Sequence, residues 1–476
     1  MNTSFYNGIS GIKSFQSGMN VLSHNISNVD TIGYRGSSVG FSTIFSKTLS
    51  GGSLEDVTSD IGLGSQMDST SLDTSQGNLQ NTDNVFDLAL NSQGWFGIKG
   101  ANDKTYYTRA GLFNKDVDGY LVNDSGNYLL GTPGGNIAPT TLNKATLEDF
   151  GKYYDKSSTH LADAYAISNI EDVPLGSVTS QTKIKLPDML YFSPVATTNV
   201  SYKTNLNPTV KLDAKGQEIP NVEHRTSTVI SPSGDKDTLD MTFTKKVPQQ
   251  TTGSTWNANI LILEPAQTYD SKATYDATKY KVDVTAKKVY PIVDSKIGVL
   301  KFDSSGKLLS STVPTLSNNG VPLTLNLGKP ETYDGLVSSA KFNTSNFEQH
   351  DGNIGSLIKD YGMDGNGNVI ANFSNGKSIP IAKVAVYHFR NAKGLDKLGS
   401  NSFTASQNSG KPFFYKDSNN KAILGTHISS NKLEASNVST ATALTELIIM
   451  QKAFDASAKS ITTSDQLIQN AINMKK

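Results

Sequence analysis

Apolar side chains follow a helical period at the two ends of the chain and a strand period between them. Near the start, Phe5, Ile12, Met19 and Ile26 recur every seven positions, and Phe15, Leu22 and Val29 form a second line three residues away. Near the end, Leu447, Phe454, Ile461 and Ile468 repeat with the same spacing, and Leu444, Ile448, Met450, Ala458, Leu467 and Ile472 widen the stripe. Each pattern describes a helix with one apolar seam, which a lone helix cannot cover. The spacing predicts two terminal helices paired into a helical base. The surface left over is covered either within the chain, as a hairpin on an ordinary domain, or by further copies. Gly8, Gly11 and Gly18 interrupt the first pattern. Each costs about 1 kcal/mol against alanine in a helix interior, so this helix depends on packing from outside. The same glycines permit close backbone approach, and termini that order only on assembly fit the pattern.

Asn28, Asp30 and Gly33 are turn and cap residues that should end the first helix. Residues 36–80 are rich in Ser, Gly and Thr and read as an extended connector with short strands. From Asp83 to Gly131, glycines recur between short Tyr, Phe, Leu and Val runs, which predicts hairpins in a compact β-domain. Residues 151–190 have a mixed pattern that supports no element assignment. Further on, Ser231-Pro-Ser-Gly-Asp235 is a turn, and Leu239, Met241 and Phe243 alternate as a half-buried strand ahead of Trp256. Leu323 to Leu327 and Lys383 to Phe389 also read as strands. The fold class expected is α+β and mainly β, with paired N- and C-terminal helices as a helical base and two or three inserted β-rich domains.

Several blocks resemble one family. Asn25, Asn28, Thr31, Gly33 and Tyr34 occupy an N-x-x-N-x-x-T-x-G-[FY] pattern that closes the terminal helix in bacterial flagellar axial proteins, the rod and hook family. Thr108, Arg109, Ala110 and Gly111, within Tyr107–Phe113, resemble a second mark of that family. Asn437 and the run Ala443–Phe454 are similar to its C-terminal signature, and the Leu239–Trp256 block resembles the outer domain of its hook-type members. The likeness runs in order along nearly the whole chain, weakening near 151–190, 265–295 and 410–425.

The resemblance implies a division into 1–35 and 430–476 as a helical axial core, 36–80 as connector, 81–205 with 340–429 as a discontinuous inner β-domain, and 206–339 as an inserted outer β-domain. It implies a helical homopolymer, with Phe5, Ile12, Phe15, Met19, Leu22, Ile26, Val29, Leu444, Leu447, Ile448, Phe454, Ile461 and Ile468 as the polymerising surface. The partners implied are the distal rod, the hook cap, the hook–filament junction proteins and the flagellar export apparatus. Export through that apparatus would place the product outside the cell without a cleavable signal peptide. None is visible at the N-terminus, where no basic region precedes the spaced apolar residues.

Composition narrows the chemistry. Lys plus Arg and Asp plus Glu are both 43, so the formal net charge is zero and nothing predicts a nucleic-acid partner. No apolar run approaches the length that spans a membrane, so no insertion is expected. There is no cysteine, which removes disulfides and thiol chemistry. His24 has no partner at metal-ligating spacing. Arg109 is read as holding a turn or a carbonyl rather than an anion. Asp364-Gly-Asn-Gly-Asn368 is read as a hairpin turn rather than a calcium loop, because the twelfth position is Asn375 and not glutamate. No catalytic motif is present, so neither an enzyme nor a cofactor is expected. The rivals are a distal rod protein and, from another class, a surface adhesin or carbohydrate-binding β-protein whose binding would survive loss of both terminal helices.

Overall fold

A computed structural model describes residues 3–44, 46–49, 59–62, 64–139, 164–167, 172–248, 252–341 and 346–474. Part of the 151–190 stretch therefore lies outside the described residues.

The two terminal helices are α1 (Thr3–Ser27) and α2 (Thr440–Asn473). They pack antiparallel: a Cβ placed on Gly8 would lie 2.5 Å from Ile461 Cγ1, and one on Gly18 3.5 Å from Met450 Sδ. Ser439 caps α2, its hydroxyl accepting from the Thr442 N–H. Asn437, two residues earlier, bonds to Gly36 and Asp73 instead of capping the helix. After α1 the chain turns through 28–33 and leaves at Gly33 with φ +67°.

The heptad residues do not form the centre of the seam. Gly8, Gly11, Ser14, Gly18, Leu22 and Asn25 are the buried positions of α1, while Phe5, Ile12, Phe15, Met19 and Ile26 are only half-buried along its flank. A Cβ on Gly11 would meet Ser457 Oγ at 2.7 Å. The helices are thus held together where side chains are smallest, and the large apolar residues close around that line.

The strands in 36–80 pair with one another. Ser37–Thr43 runs antiparallel to Ser65–Leu72, and Ser46–Leu49 to Ser59–Gly62. This ribbon lies along α1. Ser14 Oγ donates to Ser65 O at 2.7 Å, Asn7 Nδ2 to Gly62 O at 3.1 Å, and the rings of Phe15 and Phe41 are 5.8 Å apart. α1 is therefore enclosed by α2 on one side and the ribbon on another.

Two large clusters of buried side chains form the β-rich part. The first includes Trp95, Phe96, Phe113, Leu129, Phe192, Val369, Val384 and Tyr387. Its sheet joins strands from both halves of the chain: Tyr128–Pro133 pairs with Trp95–Lys99 on one side and with Ser378–Val384 on the other. The second cluster includes Val200, Leu239, Met241, Phe243, Trp256, Ile260 and Leu300. Its sheet is built on Val222–Ile230, Lys236–Lys245, Gly253–Leu263 and Lys288–Asp303. Alternation buries Leu239, Met241 and Phe243 completely. The Trp256 indole donates to Ser254 Oγ and Ser338 Oγ at 3.2 and 3.1 Å. In the 265–295 segment, Gln267–Thr268 and Tyr280–Asp283 fold back on the long strand, and Tyr269, Tyr275 and Tyr280 stack at 5.5 and 5.6 Å.

The strands Asn199–Asn205 and Phe347–His350 pair with each other inside the second body, outside the 206–339 span. The chain crosses between the bodies at 193–196 and 352–355, where Val195 and Asn353 exchange N–H···O bonds of 2.8 and 2.9 Å.

Candidate functional site

The signature residues, far apart in the sequence, meet where the terminal helices join the first β-body. Their arrangement begins with the short loop after α1. Asn25, in the last turn, accepts from the Tyr34 hydroxyl at 3.1 Å and the Ser37 N–H at 3.0 Å, and donates to Ser37 O at 2.8 Å. Asn28 donates to His24 O and accepts from Thr31 Oγ1, closing the turn. Gly33 then passes so close to Arg109 and Ala110 that a Cβ would fall 2.4 Å from Ala110 N. A Cβ on Gly111 would fall 1.7 Å from Leu88 O, so both positions require glycine. Thr108 Oγ1 donates to Asn401 O and accepts the Ala110 N–H.

From the other end of the chain, Asn437 Oδ1 accepts the Gly36 N–H at 2.8 Å, and its amide donates to Asp73 O and Ser75 O. Beside it, Glu434 is wholly buried between two buried arginines. Arg35 Nη2 lies 2.7 Å from Glu434 Oε1, and Arg109 Nε 3.0 Å from Oε2. Gly77 N–H donates to Oε1 at 2.9 Å, and Gly33 N–H to the Glu434 backbone carbonyl at 2.6 Å. Arg109 also donates to Ser92 O and Gly94 O, and Arg35 to Ser75 O. Burial pulls the Arg109 guanidinium down to about 10, with Glu434 pushing back, so it stays charged at neutral pH. A buried charge this well paired ties four chain segments into one knot.

Arg109 therefore holds carbonyls, as its setting suggested, and also a carboxylate, which the reading against an anion did not include. Arg35 and Glu434 were not singled out from the sequence. The available signal was a charged residue beside each signature block, Arg35 after Tyr34 and Glu434 shortly before Asn437. His24 stacks edge-on against Tyr34. Asp364 accepts the N–H groups of Asn366 and Asn368 in a turn between two paired strands. Among the described residues no cluster of His, Asp or Glu is placed to hold a metal ion, and no helix is long and apolar enough to cross a membrane.

The apolar stripe separates into covered and open parts. Leu22 is buried, and Leu447, Phe454 and Ile461 are half-buried in the seam. Leu444, Ile448, Ile449, Leu467, Ile468 and Ile472 are 43–60 % exposed. Val29 sits half-buried in the turn after α1.

Three family models match. "Flagella basal body rod protein" covers residues 5–35, "Flagellar hook protein FlgE/F/G D1 domain" covers 89–157, and "Flagellar basal body rod FlgEFG protein C-terminal" covers 429–474. The flagellar hook protein FlgE of Borreliella burgdorferi is 27% identical over 492 aligned residues, covering 100% of both chains. That of Treponema pallidum is 26% identical over 504, again covering 100% of both. The crystal structure of Helicobacter pylori flagellar hook protein FlgE2 aligns at 19% identity with a TM-score of 0.48, over 75% of this chain and 100% of that one. The matched stretches hold α1 with its closing turn, the Thr108–Gly111 block, and Glu434, Asn437 and α2, so the knot unites all three, and the chain is similar along its whole length to flagellar hook proteins.

Proposed function

We propose that this chain is the structural subunit of a bacterial flagellar hook, polymerising with copies of itself into a curved tube that carries torque from rod to filament. One observation carries the self-association: six large apolar side chains of α2 stand 43–60 % exposed in the single chain. Covering half-exposed Leu and Ile contributes roughly 1 kcal/mol each, enough in sum to drive assembly once several copies meet. The end-to-end likeness to hook proteins, including the second β-body, favours the hook over the shorter rod proteins of the same family.

In this reading the helices line the tube, the first β-body surrounds them, and the second lies outermost. The knot around Glu434 holds the tube-forming helices to the load-bearing body. Sliding between outermost bodies of neighbouring copies lets the tube bend while it turns. The rod, the cap, the junction proteins and the export apparatus are its further partners, and the finished hook lies outside the cell.

The test uses Ile468→Asp and Ile472→Asp. Both side chains are exposed in the monomer, so neither change disturbs its fold. Sedimentation and electron microscopy should show tubes from the parent and none from the double variant, with circular dichroism of the β-bodies unchanged. Tubes from the double variant would overturn the assignment of this surface.

A further inference from the structure

We infer that the projecting end of α2 in one copy seats in a cavity at the opposite end of the helical pair in a second copy. This rests on the self-association reading above and names the site that receives the open stripe. The cavity, of about 280 Å³, lies beside the last turn of α1 and is lined by His24, Asn28, Tyr34, Lys397, Leu398 and Phe403, among others. Leu398 stands 47% exposed at its edge, and Phe403 is buried. Lys397 Nζ donates to Arg35 O and Ser37 Oγ and sits 5.1 Å from the Tyr34 ring centroid. Its charge is thereby tied to the wall. An engineered cavity of about 150 Å³ holds one benzene, so this one has room for two branched aliphatic side chains.

The occupant follows from the unequal lengths of the helices. Gly8 faces Ile461. Beyond that contact α1 continues to Thr3 and α2 to Asn473, five residues against twelve. α2 therefore overhangs by about 10 Å, at 1.5 Å per residue. Ile468 continues the Phe454–Ile461 line past the level of Thr3, the first described residue of α1, and Ile472 lies one turn further. Ile468 and Ile472 are 43% and 59% exposed. The overhang and the cavity are about 30 Å apart within one chain, the length of α1 from Thr3 to His24. They can meet only between copies. A contact between two different patches at opposite ends of a subunit is heterologous, and where the rotation between copies does not close a ring it propagates as a filament.

The chain has no cysteine, so introduced thiols report without background. Leu398→Cys and Ile472→Cys are placed in one full-length chain, which is polymerised, oxidised and run on a non-reducing gel. A ladder of covalent multimers is expected, because thiols at a true contact fall within the ~7 Å Cα separation a disulfide needs. Each single variant should give dimers at most, and Val117→Cys, at a position 83% exposed elsewhere, paired with Ile472→Cys should give no ladder. If the parent forms tubes and the 398/472 pair gives no ladder, the docking is wrong while the hook reading stands. A ladder from the 117/472 pair as strong as from 398/472 also overturns it. If the parent forms no tubes at all, the hook reading itself fails.

Discussion

Glu434 reaches three chain segments remote from its own, near residues 33–35, 77 and 109. Its carboxylate meets Arg35, Arg109 and the Gly77 N–H, and its carbonyl takes the Gly33 N–H. Removing it leaves two guanidiniums buried without their counter-charge. Glu434→Ala should destabilise the first β-body by about 3–5 kcal/mol, the usual consequence of stripping one partner from a buried pair. Urea unfolding followed at Trp95, in a variant carrying Trp256→Phe, reads this directly. Trp95 belongs to the first cluster and Trp256 to the second, and they are the only 2 tryptophans. The structural use of Arg109 was legible from its aromatic setting. Glu434 was not, because a lone acid in a polar stretch gives no sign of two arginines that arrive from hundreds of residues away.

At the scale of elements, the seven-residue repeat located both helices and their pairing. It misplaced the centre of the contact. Periodicity counts apolar mass, whereas the centre of this seam is made by missing mass at Gly8, Gly11 and Gly18. A side chain at Gly8 or Gly11 meets α2 at once, Gly8 being nearest, with its Cβ position 2.5 Å from Ile461 and 3.1 Å from the Ser457 carbonyl, whereas one at Gly18 meets Phe41 of the ribbon first, at 3.2 Å. Gly8→Val should therefore weaken the pair by about 1–3 kcal/mol through overpacking, despite removing a glycine from a helix. The measurement is the protein concentration at which tubes appear, which should rise. The ribbon of 37–72 was legible as strand-forming, but nothing in its Ser- and Gly-rich composition said that it folds back along α1.

For the whole molecule, the two buried clusters carry titratable groups that respond to acid in opposite senses. His388 in the first body is held below the usual imidazole range by burial, with its Nε2 2.6 Å from Leu424 O. The unfolded chain takes the proton first, so this group supports folding above about 6.5 and its contribution falls as the pH drops below that. Asp237 in the second body is pushed up to about 6 by burial and by Glu264 and Asp235. There the folded state takes the proton first, so its contribution is full below the ordinary carboxylate value near 3.8 and is lost as the pH rises through about 6. Acidification from pH 7.5 to 5 should destabilise the first body and stabilise the second. Single-tryptophan variants retaining Trp95 or Trp256 should show the two unfolding midpoints moving in opposite directions. His388→Gln should remove the first shift and Asp237→Asn the second.

Local pattern was enough to establish that this chain has helical ends and a β-rich middle, where its main turns fall, and which family's signatures it bears. All of these depend on residue types at short, regular spacing. Tertiary structure alone decided which face of α1 meets α2, that residues 35, 109 and 434 share one buried charge cluster, where the chain crosses between its two β-bodies, and how far α2 overhangs. Each of these is set by contacts between residues remote in sequence, whose geometry no local period encodes.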